Sequence, residues 1–155
     1  MQLQYTPYTA PVFLSAVVGL GVGAFALKHR ERPGAFPLAV FLIGASFWSF
    51  AEGMNLATVP LESKFFWTRI ETVFSCVIAL AWLTLVLEYT GNDEWVTPRA
   101  IALLLIEPVV VVGATALRPD LLWTAVSTVE TAGFVAFDSV TGPLFHVHVI
   151  YSYLL

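Results

Sequence analysis

A chain of 155 residues that is 58% hydrophobic and 12% charged carries too little polar surface to fold as a soluble globular domain. Its formal net charge of −4 offers no basic patch, which argues against nucleic acid as a partner. The single cysteine, Cys76, leaves neither a disulfide framework nor a cysteine-based metal centre to expect.

Read in chain order, Met1–Thr9 holds no basic residue, so it lacks the charged start of a cleavable signal. The first apolar span, residues 10–27, is also too long for a signal core and reads as a retained helix. Within it Gly19 and Gly23 have GxxxG spacing, a signal for close helix approach. The basic run Lys28-His29-Arg30-Glu31-Arg32 follows, and Pro33-Gly34 introduces a second span, 36–56. Val59-Pro60 separates it from the third, 65–89, which ends at Thr90-Gly91-Asn92-Asp93. Thr97-Pro98 supplies an N-cap and an N1 proline for a fourth helix over 101–117. Each of these spans approaches the roughly 20 apolar residues that a bilayer core requires. A fifth opens at Pro143 and runs to Leu155, too short to cross, so it reads as incomplete.

The longest connection, the outer loop 118–142, holds two stretches rich in Val, Thr and Phe, Trp123–Val129 and Phe134–Val140. They flank Glu130-Thr131-Ala132-Gly133 and predict a β-hairpin, either a lid over the bundle or an ordinary surface loop. Trp95 and Trp123 fall where an interfacial aromatic belt is expected. Lys28, Arg30, Arg32 and Arg99 outnumber Lys64 and Arg118 on the other side, which places the N-terminus outside. The expected fold is thus all-α: a polytopic membrane helix bundle of about four complete spans plus a truncated fifth, with a small extracellular β-hairpin.

Charges within spans cost about 2.5–3.5 kcal/mol each at a helix centre and ask for a reason. Glu52 and Arg69 each lie about 6 Å inward from a span end on the hairpin side, so an antiparallel helix pair would bring them together. Such a pair is either the wall of a ligand-responsive pocket or helix glue with Arg69 reaching toward the interface. Glu71, two residues from Arg69, points to another face and needs a partner of its own. Glu107-Pro108 sits mid-span, where proline frees a carbonyl and kinks the helix. Glu107 is there as a pocket residue, a proton-sensitive switch, or a neutral carboxyl bonded to a neighbouring helix. Trp67 and Trp123 complete the candidate ligand or signal pocket. His146 and His148 lie two apart and face nearly opposite ways, so no metal site is expected of them. No catalytic set and no cofactor motif is visible.

The order of Phe47-Trp48-Ser49-Phe50-Ala51-Glu52, Lys64-Phe65-Phe66-Trp67-Thr68-Arg69-Ile70-Glu71, Trp82 and Leu87-Glu88-Tyr89-Thr90-Gly91 resembles one family. Pro108, Leu121-Leu122-Trp123, Gly142-Pro143-Leu144-Phe145-His146-Val147-His148 and Tyr151-Ser152-Tyr153-Leu154-Leu155 continue the likeness. It is that of the N-terminal seven-span sensor region of prokaryotic, haloarchaeal-like sensor histidine kinases. The resemblance implies that residues 1–155 are part of a seven-span sensor domain, with two further spans to come. It also implies cytoplasmic kinase modules in cis that feed a phosphorelay, so that this chain is not itself an enzyme. Glu52, Arg69 and Glu88-Tyr89-Thr90-Gly91 fit the family pattern, and the Glu52–Arg69 contact is the expected point at which a signal shifts helix packing. The expected partners are the lipid bilayer and an unidentified small ligand, with a homodimer also open. A transporter or channel subunit and a plain structural membrane subunit are the competing readings. A retinal protein fits poorly, since Lys28 and Lys64 lie near span ends.

Overall fold

The structure is a computed structural model that describes residues 2–131 and 133–155. Its elements are helices α1 (Thr9–Lys28), α2 (Ala35–Ala57), α3 (Leu61–Tyr89), α4 (Pro98–Leu104) and α5 (Ile106–Leu117). Strands β1 (Trp123–Thr131) and β2 (Phe134–Thr141) and helix α6 (Pro143–Leu154) follow. Among the described residues, α1, α2, α3 and the combined stretch Pro98–Leu117 are long and apolar enough to cross a membrane. Their exposed surface agrees with this: Leu14, Val17, Val18 and Phe25 all face outward from α1. A helix that is apolar on every side needs lipid as its solvent.

Lipid removes the hydrophobic drive between helices, so close approach must hold the bundle together. The buried residues of α2 are accordingly small or polar: Pro37, Ala39, Gly44, Ser46, Ala51, Gly53 and Asn55. On α1, a Cβ at Gly19 would run into the Ser46 hydroxyl, and one at Gly23 would come within 3.0 Å of Ile43. The GxxxG pair is therefore spent inside the chain, on α1–α2 packing. At the far end of the same bundle, the Gly34 N–H donates to the Glu88 carboxylate at 3.1 Å. An acid placed at the start of α2 suits the positive end of its dipole.

The fourth span is not one helix. Thr97 caps α4 by accepting from the Ala100 N–H at 3.1 Å, as its sequence predicts. The helix is interrupted at Leu105, between α4 and α5. Pro108 has no N–H to give the Leu104 carbonyl, its partner in an unbroken helix. The Tyr151 hydroxyl of α6 donates to that carbonyl instead, at 2.5 Å. Tyr151→Phe should therefore cost about 1–2 kcal/mol, because it leaves a carbonyl unpaired within the bundle. Detergent-induced unfolding followed by circular dichroism checks this, and a change under 0.3 kcal/mol would mean that another donor steps in.

The hairpin pairs β1 with β2 from Trp123 opposite Thr141 to Thr131 opposite Phe134, with an irregularity between Trp123 and Ala125. It extends slightly beyond the predicted strands. Gly133 takes φ +83° in the turn, a conformation that suits glycine; Ala132, expected from the sequence in that turn, lies outside the described residues. Phe65 of α3 meets Trp123 edge-on at 5.4 Å and stacks with Phe137 at 6.3 Å, which fastens the hairpin to the bundle. Trp123 is 5% exposed and so is not a belt residue as expected; it belongs to the core beneath the hairpin, with Leu122, Val111 and Cys76. Gln4 adds a second fastening. Its amide nitrogen donates to Leu56 O at 2.8 Å and Val135 O at 2.7 Å, while its oxygen accepts from the Val135 N–H at 2.9 Å. Just after α5, hydrogen bonds from Arg118 hold the exposed Asp120 carboxyl below its ordinary pKa.

Candidate functional site

Three helix faces and the hairpin border an open cavity of about 710 Å³. Helix α2 contributes Trp48, Glu52 and Asn55, spaced by four and three residues along one face. Helix α3 contributes Thr68, Glu71, Thr72 and Ser75, again a single face by the same rule. Helix α6 adds His148 and Ser152, and the hairpin roofs the space with Trp123, Phe134 and Phe137. Two polar groups divide its depth.

The group nearer the hairpin is held by Lys64. Although it lies in the first turn of α3, Lys64 is 0% exposed, and its ammonium donates to the Asn55 carbonyl at 2.6 Å. That carbonyl lies in the last turn of α2, where helix geometry leaves acceptors without a donor. Its successor four residues on, the Val59 N–H, is engaged by Gln2 O. The Asn55 side-chain amide donates to Thr68 Oγ1 at 2.8 Å and to Glu71 Oε1 at 3.3 Å. Glu52 of α2 lines the same cavity as Glu71. Asn55 is thus the partner that the sequence leaves unnamed for Glu71.

The deeper group joins three helices. Ser75 of α3 lies 2.8 Å from His148 Nε2, and His148 Nδ1 lies 2.9 Å from Glu107 Oε1 on α5. His148 is buried, and Cys76 lies beside the pair. Of the readings open for Glu107, bonding to a neighbouring helix is the one the geometry shows; its side chain does not line the cavity.

Three expectations are corrected. No ion pair joins Glu52 to Arg69 among the described residues. Arg69 instead turns to α5, where Nη2 donates to the Ala116 carbonyl at 3.4 Å and the guanidinium lies 5.8 Å from the Phe65 ring. Helix rotation explains this, because the face of α3 toward α2 carries Thr68 and Glu71, and Arg69 is one residue round from it. Trp67 does not line the cavity but meets Phe50 edge-on at 5.9 Å. Lys64, read as a loop charge, is a buried tie. Of the residues missed, Asn55, Lys64, Ser75 and Tyr151, Ser75 alone had a usable signal: the polar stripe Thr68, Glu71, Thr72, Ser75 at helical spacing within an otherwise apolar span.

The sequence model of one family, the N-terminal 7TM region of histidine kinase, matches residues 11–155. The chain belongs to that family. Its four apolar spans agree with the multi-pass membrane character of a histidine-kinase 7TM region. No curated protein and no solved structure matches the chain.

Proposed function

We propose that the chain is the signal-sensing input domain of a two-component sensor histidine kinase, and that the cavity beneath the hairpin is where its signal acts. Membership of the histidine-kinase 7TM family supports the first part. The observation that carries the second is the convergence of polar faces from α2, α3 and α6 on one space, where buried polar groups are costly unless they have work to do. In this reading a small ligand engages Glu52, Glu71 and Asn55 under Trp123. Ligand contacts that favour one placement of α6 shift the balance between two packings of the bundle. Helix α6 is suited to this, since His148 and Tyr151 tie it to α3, α5 and the break after α4. The hairpin acts as a lid, with the N-terminus and hairpin outside and the basic loops Lys28–Arg32 and Arg99 inside. Cytoplasmic modules in cis would autophosphorylate and start a phosphorelay, with a homodimer as the working unit.

Reading the gene beyond Leu155 tests the architecture. Further spans followed by a dimerisation helix with an exposed histidine and an ATP-binding module are expected, and the absence of any kinase module overturns it. In that parent kinase, Glu71→Gln should change basal autophosphorylation at least about threefold, the effect of a packing bias near 0.7 kcal/mol. Unchanged basal and stimulated rates would remove the cavity from the mechanism. The break after α4 beside Glu107 also suits an ion-conducting subunit. Proton flux in liposomes that Glu107→Gln abolishes would favour that alternative.

A further inference from the structure

The deeper polar group holds a set of donors that the sensing role does not require. Cys76 Sγ, a Glu107 carboxylate oxygen and a His148 ring nitrogen all lie within 4.8 Å of one another, contributed by three different helices. We propose that these residues form a binding site for a divalent transition-metal ion of the zinc class. Thiolate and imidazole select such ions over magnesium or calcium, which favour oxygen ligands. A tetrahedral ion with bonds of about 2.0–2.3 Å keeps its ligands roughly 3.4–3.7 Å apart, so small side-chain rotations close the set.

Three further observations point to the same place. Glu107 Oε2 is buried with no hydrogen-bond partner among the described residues, which leaves a lone carboxylate oxygen beside Cys76 and His148. Ser75 Oγ contacts His148 Nε2, so it fixes the ring while Nδ1 faces Glu107 and the ion, as outer partners of metal-bound histidines do. Charge also balances: one thiolate, one carboxylate and a neutral imidazole neutralise a divalent cation, which lowers the cost of burying it. Binding releases the thiol proton, now directed at the Thr72 carbonyl 3.4 Å away, and the proton held between His148 and Glu107. Ser75 and His148 line the cavity, which supplies an entry path from the hairpin side and room for a fourth ligand such as water. His146 contributes no ligand to this set, whose other members come from α3 and α5.

Cobalt(II) titration of chelator-stripped protein in lipid nanodiscs tests the site directly. One equivalent should produce thiolate-to-cobalt absorption in the near ultraviolet, and zinc(II) should bleach it. Cys76→Ala should abolish the band while retaining helical circular dichroism, and His146→Ala should leave it unchanged. Glu107→Gln, which keeps its size, should weaken cobalt binding at least about tenfold. Absence of a thiolate band in the wild-type protein overturns the proposal, and so does a band that survives Cys76→Ala. The proposal goes beyond the signal-pocket reading and does not depend on it: loss of the metal site leaves kinase regulation through Glu71 to be judged on its own assay.

Discussion

His148→Leu should lower the unfolding free energy by about 3 kcal/mol, because it removes one partner of a buried pair and strands the other. Glu107 would lose the contact to Oε1, and its Oε2 already has no partner among the described residues. Ser75 would lose its contact with Nε2 as well. Replacing both partners by apolar groups of similar volume removes the polar demand along with the bond. The double variant with Glu107→Leu is therefore expected to recover at least about 2 kcal/mol of the single-variant loss. Unfolding of both variants in mixed micelles, followed by far-ultraviolet circular dichroism, measures this coupling. Strictly additive losses would show that His148 and Glu107 act separately, and the three-helix junction would then be only a coincidence of distance.

The same junction shows what one sequence reveals about a membrane bundle. Span positions were legible because bilayer thickness and helix rise set a length, and apolar runs satisfy it or fail. Thr97-Pro98 and Glu107-Pro108 were legible because capping and the missing proline N–H act locally. The hairpin was legible from its β-branched and aromatic stretches around Gly133. Rotation about a helix axis was the hidden quantity. In water, an apolar stripe marks the inward face; in lipid, both faces of α1 or α3 are apolar and the stripe vanishes. Counting residues inward from the span ends therefore could not show that Glu52 and Arg69 lie on different faces. The clue that survives in lipid is the complementary one, small or polar residues at helical spacing. Thr68, Glu71, Thr72 and Ser75 on α3 and Trp48, Glu52 and Asn55 on α2 mark the cavity walls.

Contacts between distant segments were beyond such reading. Nothing local in Tyr151 or His148 announces that they serve the carbonyl freed by Pro108 and the carboxyl of Glu107. Yet these contacts give α6 its position, and the position of α6 decides whether the cavity is closed on that side. The carbonyl freed by Pro108 on α5 is thereby met by Tyr151 on α6, which ties the break between α4 and α5 to the placement of α6.

Lys64→Met should cost about 2 kcal/mol, the range for a buried hydrogen bond from a charged donor. Methionine is also unbranched, so the change tests charge and bonding more than packing. What is lost is the 2.6 Å bond to the Asn55 carbonyl at the end of α2, where a cation also complements the helix dipole. Thr58 Oγ1, at 3.4 Å from the same carbonyl, is too distant to replace it. Glu52, three residues before Asn55 on α2, would lose the positive charge held at the Asn55 carbonyl and would share the cavity with Glu71 without it. Glu52→Gln added to Lys64→Met should accordingly recover part of the loss, about 1 kcal/mol, whereas Glu52→Gln alone should not stabilise the protein. Unfolding midpoints of the three variants decide the matter. If Lys64→Met is neutral, the ammonium is dispensable glue at the α2–α3 turn; if it is costly and Glu52→Gln rescues it, the lysine is what allows two carboxyls to line one cavity.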